Sequence, residues 1–248
     1  MSASFTRLKK YKTAAFSAMA VLASAVMIGY GARQIDSAVY VNSPEAAAVE
    51  EGTRVIVLDS GHGGMDGGCS TADGVTEKGI NLDIMLTVRD MCRLYGFEVA
   101  VTRDTDRSIH DEGVTGIRNQ KVSDMENRLE LFNKFPNAVC LSVHQNTFTD
   151  PVYSGAQMFY SGATPDSARL AEILQGMFVR NLQPDNTRET KLCGKELYLC
   201  YYCNNPAVMA ECGFLSNPEE AARLKDGGYR RQVAYTLFSG LETFLGEK

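Results

Sequence analysis

A chain of 248 residues, 44% hydrophobic and 22% charged, is long enough to bury one sizeable core and too apolar to be disordered. Its formal net charge is −5, and Arg7, Lys9, Lys10 and Lys12 are the only charges among residues 1–12, so the remainder carries −9. That acidic balance argues against nucleic acid as a partner, because such binders concentrate positive charge on one face.

The basic segment, 1–12, precedes "AAFSAMAVLASAVMIGYGA", residues 14–32, a run without charge and close to the roughly 20 residues that span a bilayer. Residues 13–32 are expected to act as a signal anchor or signal peptide, with 1–12 in the cytoplasm and the bulk of the chain exported. Ala23-Ser24-Ala25 resembles a signal-peptidase site, although the apolar run continues past it. Membrane contact is expected through this segment only. Residues 33–52 read as a linker, and 53–248 as the domain itself.

Within the domain, "RVIVLD" (54–59) has the β-branched run of a buried strand. A glycine-rich loop follows, and "EKGINLDIMLTVRDMCRLYG" (77–96) then places apolar residues at helical spacing, with Thr76 at the N-cap and Gly96 at C′. "FEVAVTR" (97–103) alternates as a second strand. A polar stretch, 104–124, leads to a helical pattern in "MENRLELFNKF" (125–135). Strands are expected at "AVCLSVH" (138–144) and "GAQMFYS" (155–161), and a helix over 165–181; the segment 183–196 has no clear reading. "LYLCYY" (197–202) and "AVMAECGF" (207–214) read as two more strands, and 227–245 as a closing helix. Strands separated by helices imply an α/β fold, a three-layer α/β/α sandwich on a mostly parallel sheet.

In such sheets, sites gather at the carboxyl ends of the strands. His62 follows the first strand, His144 closes the third and Glu211 closes "AVMAE", while Glu77 opens the first helix. The chain has only three histidines, and two occupy the same kind of place; the third, His110, lies in the polar stretch. Two neutral imidazoles and one carboxylate are the usual donors of an open zinc site. Five glycines between Gly61 and Gly68 would leave space around His62. A phosphate cradle is the competing reading, but neither GxxxxGK[ST] nor GxGxxG is present. Asp59, Asp66, Glu77 and Glu211 all remain candidates for the acidic ligand.

Seven cysteines in an exported chain leave at least one thiol free. Several sit in apolar patterns, as in "AVCLSV" and "MAECGF", where cysteine acts as a small hydrophobe. A single CxxC, Cys200 and Cys203, is weak evidence for metal or redox chemistry, and no disulfide is assigned.

Gly61-His62-Gly63-Gly64, then Glu77 with Asn81-Leu82, then "SVHQN" and finally "ECGFLSNPEE" resemble the zinc-dependent N-acetylmuramoyl-L-alanine amidases of the Amidase_3 type, in order from about 54 to 246. The resemblance implies His62, Glu77 and His144 as Zn²⁺ ligands, Glu211 as the catalytic carboxylate, and Arg128 and Asn133 as supports of the site. It implies a peptidoglycan substrate, and some members of the family depend on an activator protein. "SIHDEGVTGIRNQKVSDMENR" (108–128) further resembles the spore-cortex amidases of the CwlD type, which remove stem peptides on the route to muramic-δ-lactam. Three positions depart from the pattern: Ser60 stands where proline is usual, Gln145 where a small residue is usual, and an arginine common before the last strand is replaced within "LYLCYY". The rival expectations are another exported zinc peptidoglycan hydrolase, a carboxypeptidase or deacetylase, and a non-catalytic wall-binding scaffold.

Overall fold

The first apolar run forms strand β1, Ile56–Ser60, buried along its whole length. The computed structural model describes residues 54–246, so the basic segment, the apolar run and the linker lie outside the described residues. Among the described residues no helix is long and apolar enough to cross a membrane. The other strands are β2 (Val99–Val101), β3 (Val139–Asn146), β4 (Gln157–Tyr160), β5 (Lys191–Leu192) and β6 (Ala207–Phe214). They form one sheet in the order β2-β1-β3-β6-β4-β5. Neighbours are parallel except β4 against β6, so the sheet is mostly parallel as expected.

Strand alternation divides the core into two layers. Ile56, Leu58, Val139, Leu141, Val143, Val208 and Ala210 face helices α1 (Glu77–Leu94), α3 (Pro165–Asn181) and α6 (Gly227–Gly246). Val57, Cys140, Ala207 and Met209 face α2 (Ile117–Lys134) and the short α4 (Tyr198–Tyr202) on the opposite side. The result is the three-layer α/β/α sandwich. Gly96 ends α1 with φ +83°, where its N–H and that of Phe97 satisfy the carbonyls of Arg93 and Cys92. Thr76 does stand at the N-cap of α1, yet its side chain makes no capping bond.

Three elements differ from the sequence reading. "LYLCYY" is not a strand: it forms α4, burying Leu199 and Cys200 while Tyr201 and Tyr202 face solvent. A short apolar run has no periodicity that separates strand from helix. Helix α2 starts at Ile117, eight residues before the expected pattern. Its buried residues are Ser123, Asp124, Arg128 and Phe132, so its inward face is largely polar and gives no apolar stripe to read. Finally, α5 (Pro218–Lys225) was not anticipated, although its signals are present. Asn217 Oδ1 accepts from the N–H groups of Glu219 and Glu220, and Pro218 occupies the first turn.

Candidate metal centre

The alternation that places Val57, Cys140 and Met209 under α2 and α4 also decides which polar side chains meet. Continuing each strand by two residues reaches Asp59, Ser142 and Glu211, and β3 continues to His144, all on that same face. In the sheet register His144 lies directly opposite Glu211 on β6. His62 joins them from the glycine-rich loop, with φ +62°. A non-glycine residue in that region is uncommon and needs support from its surroundings.

Two buried arginines provide that support. Arg128 on α2 donates to the carbonyls of Ser60 (2.7 Å) and His62 (2.8 Å), and Arg103 after β2 donates to those of Ser60 and Gly61 (both 3.0 Å). Arg103 went unrecognised in the sequence. Its one signal is its place at a carboxyl strand end, in "VTR". The carbonyl-rich loop has few side chains of its own, so arginines from outside must fix it.

The histidines converge on Glu77. His62 Nε2 lies 3.3 Å from Glu77 Oε2 and His144 Nδ1 lies 3.0 Å from Oε1. One donor atom from each of the three residues lies within 4.8 Å of the others, a group able to hold a metal ion. Glu77, 2% exposed, is fixed further by the N–H groups of Cys69 (2.9 Å) and Gln145 (3.0 Å) and by Asn81 Nδ2 (3.0 Å). Burial alone would raise its pKa, but hydrogen bonds and charge from His144 and His62 hold it well below the usual carboxylate range.

Asp66 Oδ2 lies 2.9 Å from His62 Nδ1. An ionised carboxylate only accepts, so Nδ1 carries hydrogen and Nε2 is the nitrogen free for a metal. Burial would lower the His62 pKa, yet Glu77 and Asp66 outweigh it and raise the imidazole to about 9. Protons and a metal therefore compete for the same electron-rich pocket.

The glycines serve this packing. A Cβ on Gly61 would lie 2.2 Å from the His144 ring, and one on Gly68 would lie 2.4 Å from Glu77 Oε2 and 2.7 Å from the His62 ring. At Gly68 (φ +69°) the backbone also disfavours any side chain.

Glu211 borders the same cavity of about 260 Å³, with Met65, Met125, Leu197 and Tyr198 on its apolar walls. Its Oε2 is buried without a hydrogen-bond partner. Burial first, and Glu77 beyond that, push its pKa up to about 7 against the pull of His144 and His62. A carboxyl poised near neutrality can both accept and return a proton.

The remaining candidates stand apart from the cluster. Asp59 is occupied by Thr102, Arg128 and Ser142 at 2.5–2.7 Å. Asp66 sits behind His62. His110 meets Ser108 Oγ, within the network that ties the 108–111 loop to Asp124. Asn133 accepts from Asn204 N–H (2.8 Å) and so supports the turn into β6 instead of the glycine loop. Gln145 donates to Asn81 Oδ1, bracing a residue that holds Glu77. The serine at position 60 has no structural explanation.

Comparison with known families matches residues 56–243 to the N-acetylmuramoyl-L-alanine amidases, Amidase_3. The chain is 33% identical over 195 residues to the germination-specific N-acetylmuramoyl-L-alanine amidase of Bacillus subtilis, covering 79% of this chain and 81% of that one. It is 24% identical to the amidase AmiA of Escherichia coli, covering 82% and 80% respectively. Among solved structures it resembles the CwlD amidase of Clostridioides difficile, held in complex with the GerS lipoprotein, with a TM-score of 0.75 and 34% identity over 79% of this chain and all of that one.

Proposed function

The chain belongs to the Amidase_3 family of N-acetylmuramoyl-L-alanine amidases, and from that premise we propose that it is a zinc enzyme of the spore cortex, removing stem peptides on the route to muramic-δ-lactam. It is an enzyme that hydrolyses the amide between N-acetylmuramic acid and L-alanine in peptidoglycan. The observation that carries the zinc reading is the convergence of His62, Glu77 and His144 beside the orphaned Oε2 of Glu211. Two imidazoles and a carboxylate fit Zn²⁺, and the space kept clear by Gly61 and Gly68 agrees with that donor set.

His62, Glu77 and His144 would hold the metal. Zn²⁺ in that place supplies Lewis acidity, which polarises an amide carbonyl and acidifies water at neutral pH. Glu211 does the proton work: its carboxylate takes a proton from the attacking water and delivers it to the departing L-alanine nitrogen, without which the amine is a poor leaving group. Asp66 fixes the tautomer of His62, and Arg128 and Arg103 hold the loop that presents it. The apolar walls at Met65, Met125 and Leu197 limit water around the reacting carbonyl.

Asp66→Ala is expected to weaken zinc affinity about 10–100-fold, as loss of a carboxylate partner to a ligating histidine usually does. Competition against a chelator measures it, and an affinity equal to the parent protein's would remove Asp66 from that role.

The remaining expectations belong to the same proposal. Residues 1–12 are cytoplasmic, 13–32 anchor or export the chain, 33–52 link, and 53–248 act outside the cytoplasm at the forespore cortex. Membrane contact is confined to the N-terminal segment. The GerS complex of the C. difficile relative supports an activator or partner protein here. Forespore expression of this chain in a spore former lacking its own germination-specific amidase tests the cortex assignment. Restored muramic-δ-lactam is the expected result; cortex without lactam, despite active enzyme, contradicts it.

A further inference from the structure

The catalytic cavity is smaller than its substrate requires. Its volume of about 260 Å³ falls below the roughly 300–1,000 Å³ that usually hold a small ligand, and the bond cut joins a sugar to a peptide. Both must extend beyond the metal centre. One face of α2 provides a path outwards. Ile117, Val122 and Met125, with Tyr198 of α4 opposite, wall a groove of about 750 Å³ that also takes in Arg118 and Lys121. Lys121, Met125 and Tyr198 line the cavity as well, so groove and cavity are continuous. The polar cavity bounded by Arg188, Glu219 and Arg223 shares no residue with the catalytic one.

The groove combines apolar surface with a cation that has no partner. Ile117 is 66% exposed and Val122 51%, and with Met125 and Tyr198 they form a contiguous apolar surface instead of scattered side chains. Tyr198 is steadied by Tyr202, their ring centroids 4.9 Å apart. The two cations differ. Lys121 Nζ is committed to Asp66 Oδ1 at 2.9 Å. Arg118 is exposed and makes no hydrogen bond or ion pair among the described residues. Its guanidinium is a planar fork that matches a carboxylate. Glu126 adds an acid to the walls, so the groove is mildly positive and does not suit a polyanion.

We propose that this groove binds the stem peptide, the leaving side of the substrate, and that Arg118 pairs with a carboxylate of its second or third residue. The assignment rests on the amidase reading above. Charge selects the peptide over the glycan. While the amide is intact, the lactyl carboxyl of muramic acid is tied up in it, and the sugar offers no anion there. The stem peptide carries its free carboxylates beyond the first alanine. Spacing agrees with this. The helix rises about 1.5 Å per residue, which puts Arg118 about 10 Å from Met125 along α2. An extended peptide covers that distance in about three residues.

The test is titration calorimetry on the purified, zinc-loaded full-length protein. The probes are the stem tripeptide L-alanyl-γ-D-glutamyl-diaminopimelate and the same tripeptide with its carboxylates converted to carboxamides. The charged form should bind about tenfold tighter, and Arg118→Gln should remove that difference by weakening the charged form alone. Because Arg118 is exposed and unbonded, the thermal midpoint of this variant should stay within about 2 °C of the parent value. Val122→Glu, which sets a further anion on the groove wall, should weaken the charged tripeptide at least as much. On an intact muropeptide, KM should rise in Arg118→Gln by a similar factor.

Equal affinity for the two tripeptides, or a difference that survives Arg118→Gln, would overturn the proposal and leave the groove to a protein partner. Displacement of the tripeptide by peptide-free glycan would also overturn it. So would self-association in sedimentation that Val122→Glu abolishes, which would make this face an interface between copies of the chain. The free tripeptide has no bond for an amidase to cut, so binding and turnover are scored separately. Normal release of stem peptide without Arg118-dependent binding would sink the subsite alone and leave the functional reading standing.

Discussion

Glu211→Gln is expected to lower amidase turnover about 10²–10⁴-fold, the usual worth of a positioned acid–base group, while zinc content and thermal midpoint stay at the parent values. Glu211 is not among the three clustered donors, so its loss need not release the metal. Its Oε2 has no partner whose bond would be broken, and glutamine preserves the side-chain volume within β6. What glutamine cannot do is take up and release a proton near neutral pH. Turnover close to that of the parent enzyme would remove Glu211 from the chemistry, and zinc loss on substitution would recast it as a ligand.

Arg128→Ala should produce the largest loss of stability, about 3–5 kcal/mol. Arg128 is 2% exposed and spans Asp59, Asp124 and the carbonyls of Ser60 and His62. Its removal leaves Asp59, 1% exposed, as a buried anion without its cation. For a domain of this size, that corresponds to a drop in thermal midpoint of roughly 6–20 °C. The pH dependence has a definite sign. In the parent protein burial would raise the Asp59 pKa, but Arg128, His144 and the two hydroxyl donors together lower it. The stabilisation is therefore present above the unfolded carboxylate pKa and is lost as pH falls through the lower folded value. In Arg128→Ala burial dominates and the folded pKa rises, so acid relieves the defect. The gap between the two proteins should narrow from pH 7 towards pH 4. A gap that is constant with pH, or a variant as stable as the parent, would show that Asp59 is not the group left unpaired.

Much of the molecule is legible because its physics is local. β1, β3 and β6 are buried apolar runs, and α3 carries its own start signals, with Thr164 before Pro165. The places of His62 just beyond β1 and of His144 and Glu211 in the carboxyl halves of β3 and β6 follow from the same reading. Neither of the latter two closes its strand: β3 runs on to Asn146 and β6 to Phe214. Choosing Glu77 from four candidate acids did not follow from local physics, since that depends on which carboxylate the fold turns towards both histidines. The resemblance supplied that choice, and the structure brings those three side chains together. The N-terminal half of α2 was hidden because its buried face is polar, serving Asp59 and the glycine loop instead of an apolar core. Helix α4 was hidden because five residues give too little period to separate helix from strand. The place of Arg103 under the glycine loop is a product of tertiary contact, and nothing in its spacing announces it.

The most direct test of the whole reading is metal content and product mass measured on one preparation, the purified chain incubated with defined muropeptides. The expected result is about one zinc per chain and release of intact stem peptides with a free L-alanine amino group. Peptides shortened by a terminal D-alanine, release of acetate, or full turnover in protein stripped of zinc would contradict it.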